Sequence, residues 1–179
     1  MNEKFEQVFS ILEDLTKLSV DADPTTNILI YGTENQQNGN LGGKTGASGL
    51  CISDQNRTNL QNFGNITCTE VKAILETSDQ TIDTLYPNKG YRFYSYTGEL
   101  ISESWSGFLN WELVNFANWE QNTWSGKNGY HCQDWSSSSD QEQGNRAAVV
   151  DGQTINFNNG TASCSSQYRI LCGCKFYSN

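Results

Sequence analysis

Cys51, Cys68, Cys132, Cys164, Cys172 and Cys174 constrain this 179-residue chain more than any other feature. An even number of cysteines in a chain of one-domain length points to a disulfide framework, assembled in an oxidising compartment. Zinc is the competing use of such residues. Cys172 and Cys174 stand too close for the usual C-x-x-C knuckle, and the only histidine is His131, so crosslinks are favoured over a metal centre. No apolar N-terminal segment resembles a signal peptide, and no run of residues is long and apolar enough to span a bilayer. The expectation is a secreted or surface-displayed protein without membrane insertion: either a piece of a longer exported chain, or one carried outward by another route such as a phage tail.

The remaining composition bounds the fold class. Apolar residues make up only 36%, but five Trp, eight Tyr and eight Phe can fill a core, because each aromatic buries a large area. Sixteen glycines against two prolines, with much Asn, Ser and Thr, describe a loop-rich β or α+β domain. A formal charge of −9 makes nucleic acid and anionic membranes poor partners.

Along the chain, residues 1–26 separate from 27–179. Phe5, Val8, Ile11, Leu12, Leu15 and Leu18 form the stripe of a short coiled-coil helix. Such a helix is too short to stand alone, so it either packs on its own domain or pairs with copies of itself. The width of the stripe suits three strands. Val20 to Thr26, with Asp23-Pro24, reads as a linker. Ile28 to Tyr31 reads as a short buried strand, and the Gly/Asn-dense stretch Thr33 to Gly49 as turns. A phosphate-cradling loop there lacks the required Gly-Lys-Ser/Thr spacing. The spacing predicts a helix capped by Thr45 through Leu50 and Cys51, and a second from Thr69 through Val71, Ile74 and Leu75. Tyr91 to Tyr96 reads as a strand, Ser102 to Gly144 as irregular and Trp-rich, and Ala147–Val150, Thr154–Phe157 and Tyr168–Cys174 as three closing strands.

The C-terminal third resembles a C-type-lectin-like domain. Trp124-Ser125-Gly126 is similar to that fold's Trp-Ile-Gly strand, and Cys164-Ser-Ser-Gln-Tyr-Arg-Ile-Leu-Cys172 to its closing strand. A more specific likeness, from Asn27 to Cys174, is to bacterial endostatin-like domains, known from leptospiral surface adhesins and similar exported proteins. It rests on Ile30-Tyr31, Asn38-Gly-Asn-Leu-Gly-Gly43, Gly46-Ala47 with Cys51, Cys132-Gln-Asp-Trp135 followed by four serines, and Cys172-Gly-Cys174. The resemblance implies an α+β domain with twisted antiparallel sheets, two helices and long loops. It also implies disulfides Cys51–Cys172 and Cys132–Cys164, leaving Cys68 with Cys174 as the least specified pair.

The sugar-binding lectins hold calcium through a Glu-Pro-Asn or Gln-Pro-Asp loop and a Trp-Asn-Asp strand. Here no proline follows Pro87, and Asn159-Gly160-Thr161 fills the strand slot. No lectin-type metal site and no cofactor are therefore expected. Asp134, Asp140, Glu142 and Asp151 are near enough in sequence for a different calcium site, although solvated loop carboxylates are commoner. Catalysis finds no marked constellation, since His131 neighbours an oxidised cysteine and no elbow motif surrounds Ser136 to Ser139. The chain is thus expected not to be an enzyme. Trp105, Trp111, Trp119, Tyr130 and His131 could stack on a ligand, whereas Trp124 and Trp135 belong to the scaffold. The candidate ligand-binding residues are Trp119, Tyr130, His131, Asp140, Asn145 and Arg146. The expected role is the trimeric tip of an adhesin that binds a glycan or protein on another cell. A fibre-capping module without an external ligand is the alternative, and a hydrolase the third.

Overall fold

A computed structural model of the chain describes residues 26–54, 60, 66–86, 90–110, 122–150 and 154–177. The N-terminal stripe from Phe5 to Leu18 lies outside the described residues, as do Trp111, Trp119 and Asp151.

The fold is α+β. In chain order it runs β1 (Thr26–Gly32), α1 (Gly43–Ser53), β2 (Glu70–Ala73), a 3-10 turn (Ile82–Thr84), β3 (Arg92–Ser95), β4 (Leu100–Ser102), α2 (Trp105–Leu109) and β5 (Thr123–Trp124). A second 3-10 turn (Lys127–Gly129) and a tight turn at Cys132–Trp135 lead to β6 (Gln143–Val150), β7 (Thr154–Asn156), β8 (Thr161–Ser163) and β9 (Arg169–Tyr177). The nine strands among the described residues hydrogen-bond in the order β4-β3-β1-β9-β5-β6-β7, with β2 also on β9 and β8 also on β6.

β1 reads as an apolar run rather than an alternation because both faces of the sheet are covered. Successive side chains leave opposite faces, so Ile28 and Ile30 enter one core with Tyr86, Phe93, Trp105 and Phe108. Leu29 and Tyr31 enter the other with Ala47, Trp124, Trp135 and all the buried half-cystines. The first core is an aromatic chain. Tyr86 meets Trp105 edge-on at 5.0 Å between centroids, and Phe93 and Phe108 stack at 5.6 Å.

Three disulfides, Cys51–Cys172, Cys68–Cys174 and Cys132–Cys164, tie the second core together. They follow the pairing implied by the family resemblance, including the least specified bridge. Cys172 and Cys174 share a face of β9, so one strand receives crosslinks from α1 and from the segment leading into β2. Among the described residues no helix is long and apolar enough to cross a membrane.

Several sequence expectations need correction. Residues 69–75 are not helical: Glu70–Ala73 pair antiparallel with β9, placing Val71 opposite Cys174. The i, i+3, i+4 spacing of Val71, Ile74 and Leu75 gave the wrong period. Ile74 enters the first core and Leu75 the second, the split expected of extended chain. A helix stands instead at α2, within the stretch read as irregular, with Ser104 Oγ accepting from Gly107 N at 2.9 Å as its cap. Helix α1 starts before Thr45, at a left-handed Gly42 cap without side-chain help. The sheet is mixed rather than wholly antiparallel. β1 runs parallel to β3 and β5 parallel to β9, because long crossovers separate the members of each pair. Thr26 belongs to β1 and not to a linker, and Thr161–Ser163 forms an additional strand against β6.

Candidate functional site

The most unusual backbone in the described structure is the turn at Cys132–Trp135. Cys132, Gln133, Asp134 and Trp135 all have positive φ, between 51° and 64°. Four successive L-residues in the left-handed region carry a penalty of roughly 1–2 kcal/mol each, so the surroundings must hold them there. Cys132 is crosslinked to Cys164. Trp135 is fully buried, and its indole Nε1 donates to Glu76 O at 2.8 Å. Leu41 N donates to Trp135 O, and Trp135 N to His131 O. Two glycines make room for the bridge: a Cβ at Gly39 would stand 2.5 Å from Cys132 Sγ, and one at Gly144 2.7 Å from it.

This clamp sets the chemistry of the exposed side chains. Asp134 accepts from Ser78 N at 2.6 Å and from Ser78 Oγ at 2.7 Å. The Ser78 hydroxyl and then its amide hold the Asp134 carboxyl below the ordinary carboxylate range, with partial desolvation opposing and His131 assisting. The bond from Thr77 does the same for neighbouring Asp79. His131 Nδ1 accepts from Asp134 N at 3.0 Å and lies 3.3 Å from Asp134 Oδ1. The order is therefore Ser78, Asp134, His131, with the carboxylate in the middle. The Ser78 hydroxyl and amide both donate to this carboxylate and fix its orientation.

The sequence candidates fall unequally around this turn. Tyr130, 47% exposed, and His131 flank it directly. Asp140 is exposed on the loop that follows, where Oδ1 accepts from Gln141 Nε2. Asn145 is 1% exposed and fully engaged: Nδ2 donates to Lys127 O and Asn158 Oδ1, while Oδ1 accepts from Arg146 N. It braces the turn, since Asn145 N also donates to Tyr130 O. Arg146 is the next residue of the same strand, so its side chain leaves the other face. There its guanidinium lies 5.5 Å from the Tyr168 ring, with Nη2 donating to Asn159 O at 3.1 Å. Trp105 is core, its Nε1 donating to Ile82 O, and Trp119 lies outside the described residues. The structure thus brings Tyr130, His131 and the bracing Asn145 together, and sets Arg146 apart.

Sequence reasoning missed Ser78 and Glu76. Ser78 lies 56 residues from its carboxylate partner, and no local pattern announces such a pair. Glu76 is buried, its two carboxylate oxygens accepting from Ile82 N and Gly129 N. Among the described residues no group of three or more His, Cys, Asp or Glu side chains converges as a metal site.

Replacing Ser78 by Ala should raise the Asp134 pKa toward the ordinary value, as read by carboxyl-carbon NMR titration. A lowered folded-state pKa gives stability above the unfolded value of about 3.9 that is lost as pH falls through the folded value. Asp134 is 46% exposed, so screening keeps the effect on stability within roughly 0–1 kcal/mol. An unmoved titration would show that Ser78 does not set this carboxylate. The chain matches no protein-family model and no curated protein sequence.

Proposed function

We propose that the chain is an extracellular recognition domain of the C-type-lectin-like, endostatin-like kind. In this reading three copies are gathered by the N-terminal helix into an adhesin tip that binds a glycan or protein on another cell. The observation that carries the reading is the clamped left-handed turn. A disulfide, a buried Trp and a buried Asn hold a short loop rigid while Tyr130 and Asp134 stay exposed, with His131 beside them and 18% exposed. Rigid presentation lowers the ordering cost of binding, and an aromatic edge beside polar groups suits both sugar stacking and a protein anchor. Export agrees with three disulfides. Trimerisation would turn weak single-site affinity into avidity.

The test uses the whole chain, residues 1–179. Native mass spectrometry should give a trimer that falls to monomer when Ile11 and Leu15 become Asp. A glycan array and a cell-surface pull-down with the trimer should yield a saturable ligand lost in Tyr130→Ala at unchanged melting temperature. A persistent monomer would remove the stalk, and silence across both screens would favour the capping role.

A further inference from the structure

We propose that Asn159 is a self-modification site: the residue at which the folded protein deamidates, ahead of the two other Asn-Gly steps in the chain. Those steps are Asn38-Gly39, Asn128-Gly129 and Asn159-Gly160. In the reaction, the backbone nitrogen of the glycine loses its proton and attacks Cγ of the asparagine. A new N–C bond closes a succinimide, the bond from Cγ to the side-chain nitrogen breaks, and ammonia departs with the proton. Water then opens the ring at either carbonyl, giving aspartate or isoaspartate, and nothing is oxidised or reduced. Glycine favours the step because no Cβ blocks the approach. Asparagine is a thermolabile residue for this reason.

The reaction needs a free side-chain amide and a free following N–H, and the fold supplies both at one step of the three. At Asn38, Oδ1 accepts from Asn40 N at 3.0 Å, and Gly39 N donates to Cys164 O at 2.8 Å beside the Cys132–Cys164 bridge. At Asn128, Gly129 N donates to the Glu76 carboxylate at 3.3 Å, and a negative charge there opposes loss of the amide proton. At Asn159 the backbone is bulged. Asn159 N donates to Arg146 O, while Arg146 N donates to Gly160 O, so two residues oppose one. Gly160 N takes no part in this pair of bonds. Among the described residues neither Gly160 N nor the Asn159 side chain has a hydrogen-bond partner, and Gly160 is exposed.

The product would alter its surroundings. Arg146 Nη2 is held by Asn159 O, and either product sets a new carboxylate beside that guanidinium. Isoaspartate also lengthens the backbone by one methylene within the bulge, against the register of the Arg146–Gly160 bond. The inference stands whether or not the domain binds a ligand.

Native, disulfide-bonded chain held at mildly alkaline pH and physiological temperature should be sampled over days. Peptide mass mapping would follow the unit mass gain separately at the three Asn-Gly peptides, with a reduced, denatured sample in parallel. The Asn159 peptide is expected to convert several-fold faster than the other two in native protein, and the three rates to draw together after denaturation. Asn159→Gln should remove the dominant native-state gain. Equal or faster native conversion at Asn38 or Asn128 overturns the proposal. So does a ranking that survives denaturation, because sequence and not fold would then set it.

Discussion

Removing either Cys51–Cys172 or Cys68–Cys174 should cost about 3 kcal/mol, while removing both should cost about 8 kcal/mol and leave no folded protein. The asymmetry comes from how the bridges share one loop. Cys51 and Cys172 are 121 residues apart and Cys68 and Cys174 are 106 apart. With one bridge in place, however, the other closes only the short paths from 51 to 68 and from 172 to 174. That is a loop of about 19 residues, worth roughly 3 kcal/mol of denatured-chain entropy, whereas the first bridge across the long loop is worth about 5. The measurement is denaturant unfolding of the two Ala-paired double variants and the quadruple variant. Cys51, Cys172 and Cys174 are fully buried, so Ala is the smallest apolar replacement at these sites. If the two double variants sum to the loss in the quadruple one, the shared-loop account fails.

Partial legibility of this chain in its sequence follows from which interactions are local. β1 could be read because an unbroken apolar run already signals a strand covered on both faces, and Ile28 to Tyr31 sit at its centre. The disulfide pairing followed from an ordered set of motifs and not from any single spacing. Residues 69–75 misled because three apolar side chains at helical intervals are also what a strand end supplies when its neighbours enter two different cores. Asn145 misled in another way. It is polar and lies in a loop-rich region, yet it is buried because its amide satisfies Lys127 O and Asn158 Oδ1 across two elements. The left-handed turn gave no sequence signal at all. Cys-Gln-Asp-Trp contains no glycine, and its φ values are enforced by partners 32 residues downstream at Cys164 and 59 residues upstream at Glu76. Tertiary constraint overrides local preference most strongly where a crosslink and a buried ring act on the same few residues. Here that place is also the candidate site.

Trp124→Ala should be the most damaging single substitution in the described core, at roughly 3–5 kcal/mol. β5 is only two residues long, yet it pairs antiparallel with β6 and parallel with β9, so it joins the β1–β9 part of the sheet to the β6 part. Two residues of ladder are a weak fastener, and the ring supplies what the backbone lacks. The Trp124 indole is fully buried, meets Tyr168 edge-on at 4.7 Å and Trp135 at 5.6 Å, and donates from Nε1 to Gln37 O at 2.8 Å. Gln37 O keeps a second donor in Tyr168 N, so loss of the indole leaves that carbonyl partly satisfied. The cavity then dominates the cost over the hydrogen bond. Trp124→Phe separates the two, and its ring should recover most of the loss, leaving about 1–2 kcal/mol for the missing bond and residual space. Urea unfolding of both variants gives the comparison, and a cost below about 2 kcal/mol for Ala would show that the ring is not what joins the two parts. The consequence should reach the site. Ser125 N donates to Asn145 O, and Asn145 N to Tyr130 O, so loosening β5 should speed amide hydrogen exchange at Ser125 and Asn145 before the protein unfolds globally. Protection unchanged at both amides would mean that Tyr130 and His131 are positioned independently of the sheet.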